Sequence, residues 1–111
     1  MGIIAFLSSF LLWGLMSQSK AQVVVTSIDN DVLNYGRKSH QVFSGHVENQ
    51  GNVKASNIRV IVTWLDMNNN EYEGYTDLGS LDPSESKQFS VVFSSNDLVM
   101  VSYYSQRVSF D

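Results

Sequence analysis

Asp66 to Asp77, DMNNNEYEGYTD, is the densest run of oxygen ligands in the chain. Counted from Asp66, oxygen-bearing side chains fall at positions 1, 3 and 5 (Asp66, Asn68 and Asn70), and Asp77 stands at position 12. Calcium loops use that spacing, with a glycine at position 6 for the sharp turn and a bidentate glutamate at position 12. Here those two places hold Glu71 and an aspartate, and no helical periodicity flanks the run. Asp66, Asn68, Asn70 and Asp77 are therefore candidate metal ligands within a stretch that also reads as a solvated hairpin turn.

His40 and His46 share one strand parity six residues apart, about 20 Å at ~3.3 Å per residue, so one metal reaches both only if the strand bends. A soft copper site would need Met67 and Met100 beside one of them, and no tight His/Met cluster exists in the sequence. Glu71 and Glu73 lie on one face of a polar strand, where a carboxylate pair more often meets water than substrate. No Gly-x-Ser-x-Gly elbow and no glycine-rich phosphate loop is present. The chain has no cysteine, which removes disulfides, thiolate metal sites and cysteine nucleophiles. No catalytic residue and no cofactor is expected.

Tyr72, Tyr75, Tyr103 and Tyr104 are the interaction candidates. Tyrosine gives contact area at little entropic cost and favours interfaces. Adjacent Tyr103 and Tyr104 on one strand must place one ring on each face. The charge balance, 7 basic against 11 acidic residues in 111, shows no Lys/Arg run and argues against a nucleic-acid surface. It also argues against docking on anionic headgroups.

These residues sit on a period of two. Gln22 to Ile28 (QVVVTSI) reads as a first strand, ended by a turn at Asp29, Asn30 and Asp31. Asn34 to Lys38 is a second loop. His40 to Asn49 alternates, with Phe43, Gly45 and Val47 on one face. Gly45 suggests packing beneath an aromatic ring such as Trp64, and Asn49 and Gly51 suit a reversal that needs φ > 0. Asn57 to Leu65 is the strongest strand: Ile58, Val60, Val62 and Trp64 share a face, and Ile61 and Leu65 lie opposite. After the turn Asp66 to Glu71 comes a weaker, edge-like strand, Tyr72 to Leu78. The loop Gly79 to Glu85 holds Pro83. Phe89, Val91 and Phe93 then point inward from Lys87 to Phe93. Leu98 to Phe110 gives one long or two short strands, with Val99, Val101 and Tyr103 on one face. Turns every 8 to 12 residues argue an antiparallel sandwich of six to seven strands, and scarce two-residue hairpin signals argue connections that cross between sheets.

Ile3 to Met16 (IIAFLSSFLLWGLM) is apolar and uncharged. As a helix its length suits a signal-peptide core, and Ser19-Lys20-Ala21 suits cleavage before Gln22. The short n-region lacks a basic residue, and Met1 to Ala21 is long enough for a single span. Residues 1–21 are thus a signal peptide or a membrane anchor helix, and 22–111 the folded domain. Either reading puts that domain outside the cytoplasm, secreted or held on the membrane.

The stretches FSGHVENQG, IRVIVTWLD and LGSLDPSESKQFSVVF, from Val42 to Phe93, resemble the FxLYD-type and CARDB-like modules of prokaryotic envelope proteins. Shared features are Gly45-x-Val47-x-Asn49-x-Gly51, the aromatic-x-Asp turn Trp64-Leu65-Asp66, and the Leu-x-Pro segment Leu81 to Ser86 before Phe89 to Phe93. Ser84 stands where that pattern has glycine, and Asn68-Asn69-Asn70 replaces its glycine-containing turn. The resemblance implies an immunoglobulin-like fold and no catalytic activity. The expected role is a protein-interaction or assembly module, an accessory subunit of an envelope complex or a self-associating unit. The alternatives are a pilin-like filament subunit and a calcium- or copper-binding extracytoplasmic domain.

Overall fold

The computed structural model describes residues 19–35, 38–95 and 99–111. The expected N-terminal helix falls on residues 1–18, outside them. Among the described residues six strands are formed: β1 (Val23–Tyr35), β2 (Lys38–Asn49), β3 (Ala55–Asp66), β4 (Glu71–Leu81), β5 (Ser86–Ser95) and β6 (Val101–Ser109). They make two antiparallel sheets, β1-β2-β5 and β4-β3-β6. The chain crosses between sheets after β2, β4 and β5, as the scarcity of hairpin signals suggested. Among the described residues there is no helix, so none long and apolar enough to cross a membrane.

The core forms where the alternation is strictest. Ile58, Val60 and Val62 of β3 are wholly buried and Trp64 nearly so, facing Phe43 and Val47 of β2 and Phe89 and Val91 of β5. Each such side chain contributes roughly 1.5–3 kcal/mol by leaving water. Phe43 sits amid the aromatic cluster, with ring centroids 6.1 Å from Trp64, 5.8 Å from Phe93 and 5.2 Å from Tyr104.

Several expectations are corrected. β1 does not turn at Asp29-Asn30-Asp31; it stays paired with β2 as far as Tyr35 opposite Lys38. Its edge position leaves Asp29 and Asp31 in solvent, and Asn30 donates to the Gln41 side chain (3.2 Å). Charged residues on an edge strand cost little and discourage unwanted pairing. β4 runs on through Gly79 to Leu81, which is wholly buried and paired with Ala55.

The backbone rather than an aromatic ring demands Gly45. A Cβ there would lie 1.9 Å from the Ser27 carbonyl oxygen, pushed inward by a bulge between Val25 and Ser27. Neither Asn49 nor Gly51 has positive φ; Asn57, Asn69, Ser84 and Gly79 do. Instead, wholly buried Asn49 ties three segments together. Its Oδ1 accepts from Gln22 N (3.2 Å) and Gly51 N (2.9 Å), and its Nδ2 donates to Val53 O (2.9 Å) and Leu81 O (3.0 Å). Gly51 carries no side chain because a Cβ would meet the Lys20 carbonyl oxygen at 2.2 Å.

The segment Asp82 to Glu85 is a type II turn, closed by Glu85 N donating to Asp82 O (3.0 Å), with Pro83 at its second position and Ser84 at φ +68°. The third position of that turn favours glycine, and Ser84 takes it with a positive φ.

Candidate functional site

Asp66 ends β3 and organises the turn to β4. Its Oδ1 accepts from the backbone N–H of Asn68 (2.8 Å) and Asn70 (2.9 Å). Its Oδ2 accepts from Asn70 Nδ2 (3.0 Å) and the Tyr72 hydroxyl (3.0 Å). The Asn70 amide, with the backbone donors and Tyr72, outweighs desolvation and holds this carboxyl below its ordinary value. The same hydrogen bond and burial push the Tyr72 hydroxyl up. Asn69 takes the left-handed conformation, φ +65°, that asparagine tolerates.

The four candidate ligands are not brought together. Asp77 lies far along β4 on the outward parity, where Arg59 Nε donates to its Oδ1 at 2.7 Å. That bond lowers the Asp77 pKa and raises that of Arg59. A cation at the turn would have to displace the donors that already saturate Asp66. Among the described residues no group of three or more His, Asp or Glu side chains is placed to hold a metal. His40 Nδ1 bonds the Ser94 hydroxyl (2.7 Å) and His46 Nδ1 the Ser27 hydroxyl (3.2 Å).

The tyrosines divide by strand parity. Tyr72 and Tyr104 turn inward: Tyr72 stacks on Trp64 at 4.3 Å and 18°, and Tyr104 tilts against Phe43. Tyr75 and Tyr103 are 56% and 61% exposed on the outer face of the β4-β3-β6 sheet. Tyr103 was expected on the face of Val99 and Val101. A bulge at Ser102, whose hydroxyl donates to Leu65 O (3.3 Å) and Asp66 O (3.1 Å), reverses the parity and turns it out.

On that outer face Tyr75 pairs across Ile61 and Tyr103 across Leu65, two aromatic–aliphatic pairs on three strands with the polar row Glu73, Thr63 and Ser105 between them. The Arg59 guanidinium lies 3.9 Å from the Tyr75 ring centroid, the geometry of a cation–π contact. Arg107 Nη2 donates to Glu73 at 3.4 Å and Thr63 to the same carboxylate at 3.2 Å. The Arg59–Asp77 pair closes one end of this face beyond Tyr75, while Glu73, Thr63 and Arg107 cross it between Ile61 and Leu65.

Sequence reasoning missed a second feature, at the end of the sandwich beside the Asp66 turn. Ser39 and Gln41 of β2 are buried on the same face as Phe43, and with Trp64, Tyr72, Phe93 and Val99 they line a pocket of about 290 Å³. The signal was two polar residues at inward positions of a strand, which an apolar core would not choose.

No protein-family model matches the chain, and no curated relative does. A solved Bordetella pertussis protein provisionally named ApaA is similar over 81% of this chain and 94% of its own, at 10% identity and a TM-score of 0.54. A structural-genomics target is similar over 78% of this chain and 84% of its own, at 11% identity and a TM-score of 0.44. The first likeness reaches the level of a shared fold and, at that identity, concerns the fold alone.

Proposed function

We propose that this chain is an immunoglobulin-like module, exported or held on the membrane by its leader, that binds another protein rather than catalysing a reaction. The strand order supports the finer fold assignment. First, second and fifth strands in one sheet, with third and sixth paired in the other, match the A-B-E and C-F division of immunoglobulin domains. The resemblance to envelope modules from Val42 to Phe93 agrees with it.

The observation that carries the reading is the outer face of the β4-β3-β6 sheet. Two exposed tyrosines flank Ile61 and Leu65, and an arginine lies over one ring. Tyrosine and arginine are the side chains enriched at protein contact sites. The saturated Asp66 turn and the split between Asp66 and Asp77 give the calcium reading less support.

Photo-crosslinking tests the proposal. A photoreactive phenylalanine analogue is placed at Tyr103 or Tyr75, and in a control at Ser90, exposed on the other sheet. Native membranes are then irradiated. A discrete adduct from Tyr103 and Tyr75 but not from Ser90 is expected. No adduct, or the same adducts from both sheets, refutes the assignment of this face.

A further inference from the structure

The two sheets have four edge strands, and three of them carry features that discourage another chain from pairing. β1 sets Asp29 and Asp31 in solvent and is bulged between Val25 and Ser27. β4 exposes Glu71, Glu73 and Asp77 and turns left-handed at Gly79, φ +78°. β5 points a charge inward: Lys87 lies opposite Val47, and its Nζ donates to Leu78 O of β4 (2.9 Å).

β6 differs from all three. Its sequence, VSYYSQRVS, has no lysine, proline or glycine and a single charge, Arg107. The bulge at Ser102 lies at its start, and Tyr103 to Ser109 keep an unbroken register with β3. Among the described residues no strand pairs with its other side. The core is also open here. Gln106 stands on the inward row, opposite wholly buried Val62, yet is exposed. Tyr104 and Val108 on the same row are half-buried, as are Val25 and Ile28 on the inward row of β1. On the other side of the sandwich Phe89 and Val91 of β5 are 2% and 4% exposed. An unprotected edge beside a half-open core suits strand addition, in which main-chain bonds give affinity and side chains select the partner.

The side chains of β6 select a second β6. Residues directly opposite in an antiparallel pair share a face. For a strand paired with its own copy, that allows only registers centred on a residue. Full overlap of the nine residues centres on Ser105. It sets Tyr103 opposite Arg107 of the second copy, twice over, and Tyr104 opposite Gln106. Arg59 already makes such a contact with Tyr75 on this face. Arg107 turns to the new ring at little cost, because its bond to Glu73 is long, 3.4 Å, and exposed. A register centred on Arg107 would instead oppose like charges.

We propose that β6 pairs antiparallel with β6 of a second copy about a two-fold axis at Ser105, joining two β4-β3-β6 sheets into one. The outer faces then become continuous, with both sets of tyrosines on the same side. The pairing goes beyond the contact-face reading and does not rest on it.

The test uses the whole 111-residue chain in detergent micelles. The chain has no cysteine, so each cysteine variant carries one thiol. Across the axis the two Ser105 Cα atoms stand about 4.5–5.5 Å apart, within disulfide range. S105C is expected to give a covalent dimer on mild oxidation. S109C, about 26 Å from its own copy at ~3.3 Å per residue, and S90C on the other sheet are expected to stay monomeric. Sedimentation equilibrium in density-matched detergent reads the reversible pair. Ser105 is exposed, so charged residues there keep the fold. S105K and S105D should each weaken the dimer about fivefold by opposing like charges, and an equimolar mixture should restore it. R107A should weaken it about tenfold through two lost ring contacts. Y75A, two strands from the edge, should leave it unchanged. Equal linking of S105C and S90C, a dimer unaffected by S105K, no rescue by the mixture, or assemblies that grow beyond two copies each overturn the pairing. So does loss of the dimer in Y75A, which would mean that the faces stack instead. Photo-crosslinking at Tyr75 reads the contact face separately: an adduct there without an S105C dimer overturns the pairing and leaves the contact face standing.

Discussion

Replacing Asn49 by alanine removes four hydrogen bonds at a wholly buried position. The Leu81 carbonyl loses a buried partner, which costs about 1–3 kcal/mol. The other three groups are only part-buried and regain water, so each costs nearer 0.5–1 kcal/mol. The sum, about 4 kcal/mol, is a large share of the roughly 5–15 kcal/mol by which a domain is stable. Asparate in its place is the sharper probe. It keeps both acceptor contacts at Gln22 N and Gly51 N but sets an oxygen against the carbonyls of Val53 and Leu81. An ionised carboxylate is disfavoured there, so its folded-state pKa lies above the unfolded value near 3.9. Below pH ~3.9 both states are protonated, the acid donates to one carbonyl, and N49D sits within about 2 kcal/mol of the parent. As pH rises, the unfolded chain ionises first and stability falls by about 1.4 kcal/mol per unit until the folded pKa is reached. Urea unfolding followed by Trp64 fluorescence, with the parent measured at each pH, gives the difference directly. A parent-to-N49D difference that stays constant from pH 4 to 7, or an N49A cost under about 1 kcal/mol, refutes the role given to this side chain.

S84G should raise stability by about 0.5–1 kcal/mol, because relief of the left-handed strain at φ +68° exceeds the entropy glycine adds to the unfolded chain; thermal melts check it. G45A should cost more than about 2 kcal/mol, since its methyl meets the rigid Ser27 carbonyl, and hydrogen exchange should show the loss of protection in β1 first. The lowered Asp66 pKa stabilises the fold above the unfolded carboxyl value, and that stability is lost as pH falls through the folded value. D66N should therefore be less stable than the parent at pH 7 and show a shallower loss on acidification below pH ~4, read by chemical denaturation across that range.

Local pattern was enough to find most of the strands. The inward rows Ile58-Val60-Val62-Trp64 and Phe89-Val91-Phe93 were legible because an extended chain alternates its side chains whatever it pairs with. The turn at Asp66 was legible for a similar reason, since its carboxylate reaches donors only two to six residues away. The edge-like character of β4 also followed from its polar outward row.

What stayed hidden depends on partners distant in sequence. Asp29 to Asp31 looked like a turn until β2 supplied its ladder; Gly45 looked like room for an aromatic ring and Gly51 like a reversal, until the backbones of Ser27 and Lys20 lay against them. Bulges at Thr26 and Ser102 reverse strand parity, so only the paired sheet could say that Tyr103 faces outward with Tyr75. The alternation of residue types decided which segments become strands. Register, bulges and the meeting of Phe43 with Trp64 across two sheets were decided by contacts between segments, because hydrogen-bond pairing and close packing exist only once distant strands are side by side.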